Sequence, residues 1–475
     1  MAAIGGRTIL ISLIVATAFF MEQLDATIIV TALPQMAQAF GLSPERMALG
    51  VTAYVLALAA CLPASAWLAD RLGARNLFMG AIGLFVIASM LCGLAPTFPT
   101  FIAARILQGA AAAMMSPVGR LVVLRSADKS QLMAALSMLV WPALFAPVLG
   151  PPLGGFITQF ANWRWIFYVN LPIGLLGIAL VAAFIPNERS QERKPFDTLG
   201  FLLMAVSLAG LTYGVDLVGS RQDGLTGVWQ GLGLLVAGLG VGWLAVRHVA
   251  RIAHPVVELN AMRVKTFFVS SISSGLPQRA AIQATPFLLP LMFQIGFGMS
   301  PVQSGLLLLI YMLANLCMKT VTNPILRRFG IRDVLVWNGL IASVAIAACA
   351  LIGPGVPFAA TALLLLIAGG SRSMQFTAAT MITFADVPPQ DRASASVLFS
   401  LCQQLGMSMG VAVGASMLSI SEAFRGANSL GVFDFRLALV LTGVISALSI
   451  WPVKSVPRDA GAEISGHKLK TATAG

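Results

Sequence analysis

Charge is what this chain has least of: Asp, Glu, Lys and Arg make up 10% of its 475 residues, against 58% hydrophobic residues and a mean hydropathy of +0.87. So little polar surface cannot cover a water-soluble domain, which excludes that class. Histidine is almost missing too, with His248, His254 and His467 the only three. No HExxH and no GxxxxGK[ST] occurs, so neither a membrane zinc hydrolase nor an ATP-driven pump in one chain is supported. The five cysteines, Cys61, Cys92, Cys317, Cys349 and Cys402, stand singly in apolar stretches without a CxxC. That spacing gives no disulfide framework and no zinc site, and leaves them as small packing residues. No loop is long enough to fold as a domain, so no enzyme is expected and any chemistry must take place between helices.

What is present instead is a series of apolar runs of about 20 residues, the length a helix needs to cross the hydrocarbon core, without the period-two alternation of a barrel strand. The expected spans are 8–33, 47–69, 76–95, 99–124, 132–158, 164–185, 198–218, 227–249, 266–295, 302–324, 334–353, 357–384, 394–420 and 434–453. The expected fold is therefore all-α and integral to the membrane, with fourteen transmembrane helices. An even number places both termini on one side. Of the 30 Lys and Arg residues, 21 lie on the side that holds the termini, five (Arg46, Arg164, Arg221, Arg425 and Arg436) lie on the other, and four (Arg105, Arg279, Lys319 and Arg372) lie inside spans. This bias makes the terminal side cytoplasmic. It also accounts for the net charge of +12, which needs no nucleic acid partner. The first run carries Glu22 and Asp25 and is followed by no small-residue cleavage site, so it reads as a retained helix rather than a signal peptide.

A repeat organises these spans. Trp67–Gly80 reads WLADRLGARNLFMG, a charged turn between two long apolar runs, and 257 residues later Ile325–Trp337 reads ILRRFGIRDVLVW. Under that offset Arg71, Gly73 and Arg75 fall on Arg328, Gly330 and Arg332. Glycine suits such a turn because it takes positive φ without steric cost. Repeated bundles of this kind are the plan of secondary transporters, in which two halves rock about a site between them. The expected organisation is a six-helix bundle over 8–185, two inserted helices over 198–249, a second six-helix bundle over 266–453 and a disordered cytoplasmic tail over 454–475. The segment NERSQERK, 187–194, reads as a solvated linker.

Polar residues inside the spans are the candidate functional groups. Glu22 and Asp25, three apart, share nearly one face of the first helix, and acids at such depth pair with a base or bind protons. Arg105 and Gln108 lie on the polar stripe of RILQGAAAAMMSP, residues 105–117. Arg105 keeps its charge and needs a carboxylate or carbonyl partner, for which the first helix offers Asp25 or Glu22. The segment APVLGPPLGG places Gly150, Gly154 and Gly155 on a close-packing seam and Pro147, Pro151 and Pro152 where they loosen the helix. Arg279, Lys319 and Arg372 add positive charge to the second half; with Arg105 they outnumber the two acids and point to a cavity favouring anions, of which Gln108, Arg279 and Arg372 are candidate lining residues.

Taken together, LDATIIVTALP, WLADRLGARN, RILQGAAAA, LGPPLGG and NWRWIFYVNLPIG resemble the motifs of the major facilitator superfamily, in particular its fourteen-helix drug:proton antiporters. The resemblance runs from about residue 8 to about residue 450. It implies export of amphipathic small molecules driven by the proton gradient, with no cofactor and no metal. Asp25 and Arg105 would act in coupling, Asp70, Arg71 and Arg75 in a gate that locks the outward-open state, and Gly150, Pro151, Gly154 and Gly155 in the antiporter helix. The implied partners are a small-molecule substrate, protons and the bilayer; an adaptor and an outer-membrane channel could join an otherwise monomeric protein. Export of anionic metabolites or metal chelates is the alternative, and a non-transporting sensor a further one. The chain departs from the family pattern at Val30, where an asparagine is usual, and at Ala66 and Ala110, where glycines are usual.

Overall fold

The computed structural model describes residues 6–126, 132–186, 195–219, 224–252, 255, 257–388, 391–426 and 429–462. Helices occupy every stretch that the apolar runs mark out: α1 (Gly6–Ile28), α2 (Leu49–Cys61, resuming as Ala64–Leu72), α3 (Ala74–Leu94), α4 (Phe98–Ser126), α5 (Leu132–Phe160), α6 (Asn170–Phe184), α7 (Thr198–Gly219), α8 (Gly224–Val249), α9 (Gly275–Leu291), α10 (Pro301–Phe329), α11 (Ile331–Ala348), α12 (Phe358–Ala385), α13 (Arg392–Arg425) and α14 (Val432–Leu448). Among the described residues there is no strand, and nine helices are long and apolar enough to cross a membrane.

Two of the expected continuous spans are interrupted. The α2 stretch breaks at Leu62–Pro63, where proline removes a backbone donor. The stretch around α9 is flanked by π turns at Val269–Ser273 and Met292–Gly296, and α9 itself contains Pro286 and Pro290. A third difference concerns the tail. Residues 454–462 were expected to be disordered, yet Val453, Val456 and Ala460 are buried against Ile331, Leu335 and Ile382. Three apolar side chains suffice to dock this segment, which a composition-based reading of the tail overlooks. Residues 463–475 and the linker 187–194 lie outside the described residues.

The chain forms two compact units, Met1–Val256 with Met299–Leu306, and Val257–Gly298 with Leu307–Gly475. In the first, α1 packs on α4, α5 and α6, and α3 packs on α4 and α6. In the second, α9 packs on α13 and α14, and α11 on α12 and α14. Four pairs recur in the order of each half: α1–α5 as α9–α13, α1–α6 as α9–α14, α3–α4 as α11–α12, and α3–α6 as α11–α14. The charged turn repeats down to its backbone. Gly73 has φ 86° and ψ 140°, Gly330 φ 79° and ψ 155°. Each glycine N–H donates to the carbonyl four residues back, Ala69 at 3.0 Å and Leu326 at 2.9 Å, and each glycine carbonyl accepts from Leu77 or Val334. Both φ values are positive, so any side chain there is strained.

Close helix approach rests on a single glycine in each half. A Cβ on Gly109 of α4 would strike the Tyr54 carbonyl of α2, and a Cβ on Gly369 of α12 would strike the Tyr311 carbonyl of α10. Tyr311 follows Tyr54 by 257 residues. Gly109→Ala is therefore expected to force α2 and α4 apart and to lower the melting temperature of the purified protein by several degrees, an overpacking cost of about 1–3 kcal/mol. A variant melting like the parent would show that α2 yields without cost.

Helices α7 and α8 pack on one another along small residues, Gly210 against Gly238 and Gly242 against Ser207, whose hydroxyl donates to the Gly238 carbonyl at 2.8 Å. Their outer face carries exposed Trp229, Val236, Leu239 and Trp243, the composition of a lipid-facing surface. At one end Asp197 caps α7 through the Gly200 N–H and also meets His248 of α8 at 2.8 Å. Next to it Phe196 stacks on Trp67 of α2 with ring centroids 4.8 Å apart, which ties this pair of helices to the charged turn.

Candidate functional site

The centre of the first six helices holds a polar cluster sealed from solvent. Arg105 of α4 is 0% exposed and Asp25 of α1 is 1% exposed, and Arg105 Nη1 meets Asp25 Oδ2 at 2.7 Å. Of the two acids on α1, Asp25 is the one that Arg105 engages. The guanidinium also donates from Nε to the Gly50 carbonyl of α2 at 3.0 Å and from Nη1 to Gln108 Oε1 at 2.6 Å, and it lies 4.3 Å over the Tyr54 ring. A charge buried this deeply is tolerable because it is paired, hydrogen-bonded and set on an aromatic face.

The second carboxylate oxygen has partners of its own. Asp25 Oδ1 accepts from Gln108 Nε2 at 2.9 Å and from Asn170 Nδ2 of α6 at 2.8 Å. Ser89 of α3 accepts from both amides, at 3.3 and 2.9 Å, and donates to the Phe167 carbonyl at 3.0 Å. The Gln108 amide has one workable orientation, since its oxygen faces the guanidinium and its nitrogen faces the carboxylate. Five helices, α1, α2, α3, α4 and α6, thus contribute to one cluster. Asn170 and Ser89 were not singled out from the sequence. An asparagine opening an apolar helix two residues before a proline is a signal that could have found the first; a serine inside an apolar run carries none.

Glu22 sits apart from this cluster, 6% exposed, and its Oε2 accepts from Ser116 of α4 at 2.6 Å. On α5, a Cβ on Gly150 would meet Thr27 and one on Gly154 the Ile28 carbonyl, so α1 lies directly on this seam. Thr31 adds a hydrogen bond to the Pro151 carbonyl at 3.3 Å. Gly155 faces the Pro301 carbonyl at the start of α10, and Gly305 in turn faces Pro151.

The residues of the two turns are placed alike. Arg75 Nη2 donates to the Ala182 carbonyl near the end of α6 at 2.6 Å, and Arg332 Nη2 donates to the Lys454 carbonyl just after α14 at 2.9 Å. Basic side chains thereby satisfy carbonyls that the helix ends leave without partners. Arg71 lies 5.2 Å over Trp67 and Arg328 5.5 Å over Phe329, while Asp70 is half-buried on the last turn of α2.

In the second unit the counterpart cluster is uncharged. Gln278 of α9 donates to Ser446 of α14 at 3.1 Å, Ser343 of α11 joins Ser446 at 2.8 Å, and Ser449 donates to Gln278. The basic residues lie elsewhere and have different partners. Arg279 donates to the Ser271 carbonyl at 3.3 Å and lies 4.8 Å over Phe399. Arg372 donates to Gln283 at 2.5 Å and lies 5.8 Å from the Tyr311 ring centroid; Lys319 donates to Thr377 at 3.0 Å. No carboxylate pairs with any of the three among the described residues. No group of His, Cys, Asp and Glu suited to a metal is found among them either.

Known proteins resemble this chain in sequence and in fold. The sequence matches the Major Facilitator Superfamily over residues 15–411. Proteins named multidrug resistance protein MdtD from Salmonella heidelberg (strain SL476) and Salmonella typhimurium (strain LT2) are 38% identical over 451 residues, covering 94% of this chain and 94% of each relative. A D-xylose-proton symporter structure covers 95% of this chain and 98% of its own with a TM-score of 0.64 at 17% identity. The POT family transporter PepTSo covers 97% and 99% with a TM-score of 0.69 at 11% identity. At such identities the two structures speak for the fold alone. The repeated helix pairs, the paired glycine turns and a family match across most of the sequence agree: this chain is a membrane protein that belongs to the Major Facilitator Superfamily.

Proposed function

We propose that this chain is a proton-coupled exporter of amphipathic small molecules, working by alternating access in the inner membrane. It would cross the bilayer fourteen times in a six, two, six plan with both termini cytoplasmic, use the proton gradient and no cofactor, and need no obligatory protein partner. The observation that carries this reading is the sealed Asp25–Arg105 pair. An ion pair with no access to solvent, at the point where five helices meet, can couple charge to helix movement, because separating it demands that something else neutralise Asp25. The basic bias of the terminal side and the names of the 38% identical relatives support the direction and the substrate class. Asp70, Arg71, Arg75 and their counterparts Arg328 and Arg332 would hold the cytoplasmic ends of the helices in one of two arrangements.

The test is ethidium accumulation in inverted vesicles or proteoliposomes under an imposed pH gradient. Asp25→Asn is expected to exchange ethidium across the membrane yet fail to concentrate it, since the amide leaves Arg105 without the charge whose separation would tie proton binding to helix movement. An Asn variant that still accumulates ethidium with the parental pH dependence would move coupling elsewhere. A pure sensor would show binding without flux in the same vesicles.

A second reading, export of anions, rests on Arg279, Arg372 and Lys319, three basic residues in the spans without a carboxylate partner among the described residues. Such charges draw anions into a low-dielectric site. If it holds, Arg372→Gln should weaken binding of an amphipathic carboxylate about tenfold and leave a lipophilic cation within about twofold, a difference of roughly 1 kcal/mol. Equal losses would make Arg372 a packing residue.

A further inference from the structure

The two acids of α1 stand in opposite chemical surroundings. Every group that touches the Asp25 carboxylate is a donor: Arg105 Nη1, Gln108 Nε2 and Asn170 Nδ2. A proton added to Asp25 would point at no acceptor, because the Gln108 oxygen is already taken by Arg105 and by the Cys92 thiol. It would also strand a guanidinium that is 0% exposed. The cluster is built for an anion and has no place for the neutral acid.

Glu22 is surrounded differently. It is buried, and among the described residues its hydrogen-bond partner is the Ser116 hydroxyl. A hydroxyl both donates and accepts. The carboxylate accepts from Ser116 as seen; the neutral acid donates to Ser116 Oγ after one rotation of the hydroxyl, with no other atom displaced. The helices packed on α1 are α4, α5 and α6, with the short turn Trp165–Tyr168. From them Glu22 faces few charges: Arg105 is held by Asp25, Arg120 lies one turn beyond Ser116 on an exposed position, and the described parts of α5 and α6 contain no Asp, Glu, Lys or Arg. Tyr168 stands on the short turn and Tyr54 on α2, and Asp25 follows three residues later on α1 itself.

We propose that in this conformer the exchangeable proton is bound at Glu22, within the Glu22–Ser116 pair, while Asp25 remains the fixed anion that holds Arg105. The inference rests on the proton-coupled reading and assigns its ion site. Binding adds one proton to the Glu22 carboxylate and release removes it, with no further reactant. Asp25 then serves as a positioning residue that becomes available to a proton only after Arg105 has withdrawn.

The experiment is pH-difference infrared spectroscopy of the full chain in lipid, read in the carbonyl-stretch region of protonated carboxyl groups between about pH 5 and 9. The parent is expected to show a titrating buried carboxyl. Glu22→Gln should remove that band, Asp25→Asn should keep it, and Ser116→Ala should keep it with a displaced frequency. Glu22→Asp, which retains the acid one methylene further back, should restore a band and guards against a folding defect in the Gln variant. A band that survives Glu22→Gln and vanishes in Asp25→Asn would overturn the assignment and leave proton coupling intact. No titrating carboxyl in any of these proteins, together with ethidium flux indifferent to a pH gradient, would overturn both.

Discussion

Arg105→Leu is expected to be the most damaging single substitution in the first unit, lowering stability by about 3–5 kcal/mol and abolishing uphill transport. The cost is not the lost attraction alone. Removing the guanidinium leaves Asp25 ionised in a place closed to water, with only two neutral amides, and frees the Gly50 carbonyl and Gln108 oxygen that it had satisfied. Arg105→Lys should recover part of the loss, because the charge returns but one ammonium cannot reach the Gly50 carbonyl, Gln108 and Asp25 in the same planar geometry. The double variant Asp25→Asn with Arg105→Leu should melt above Arg105→Leu alone, since the unpaired charge has gone. Thermal unfolding of the four proteins and ethidium accumulation in vesicles decide this. If Arg105→Leu melts like the parent and still accumulates ethidium, the pair neither stabilises the bundle nor couples it.

The fold was legible because the physical requirement behind it is simple. A helix that crosses hydrocarbon must be apolar for about 20 residues, and this chain satisfies that rule segment after segment. The repeat was legible for a similar reason: a turn that needs positive φ keeps its glycine, so Gly73 and Gly330 mark equivalent points in the two halves. Interruptions inside the spans were harder to read. Pro63 breaks α2, but Pro117 sits inside α4 without breaking it, and nothing local to either proline separates the two outcomes. Neighbouring helices decide them.

At the site, sequence reasoning reached the charged residues and stopped at the neutral ones. Arg105 demanded an acid, and two stood on α1; the choice between them depended on depth and rotation that spacing alone does not give. Gln108 was placed among residues lining a substrate cavity, whereas here it is fully buried and serves the Asp25 cluster. Ser89 and Asn170 complete that cluster from α3 and α6. Their role arises from tertiary proximity across residues 25, 89, 108 and 170, a relation without a local signature. The uncharged network on α9, α11 and α14 has the same character: Gln278 and the serines that close it come from separate helices. Both halves therefore have a buried polar network, and of these two, among the described residues, only that of the first half is built on a carboxylate paired with an arginine.

Gly154→Leu is the second substitution from which a large effect is expected, a loss of at least about tenfold in transport rate, or more than 1.4 kcal/mol in the barrier. Position 154 has no room. A Cβ there meets the Ile28 carbonyl oxygen and the Thr31 hydroxyl, so even alanine needs α1 to shift, and a branched side chain needs the helices to part. Moving α1 at Ile28 disturbs the turn next to Asp25 on the same helix, and with it the geometry of the ion pair. The neighbouring positions supply the controls. Gly155→Leu pushes on a different element, because its Cβ meets the Pro301 carbonyl at the start of α10, where Gln159 of α5 also accepts from the Val302 N–H at 3.2 Å. Leu153 is 36% exposed and faces away from α1, so Leu153→Ala should transport as the parent does. Gly154→Ala should fall between, with a smaller loss of rate and a lower melting temperature. Flux in proteoliposomes at equal amounts of inserted protein measures each. A Gly154→Leu protein that transports at the parental rate would mean that α1 and α5 do not need their close approach during the cycle, and that the glycines of this seam serve assembly alone.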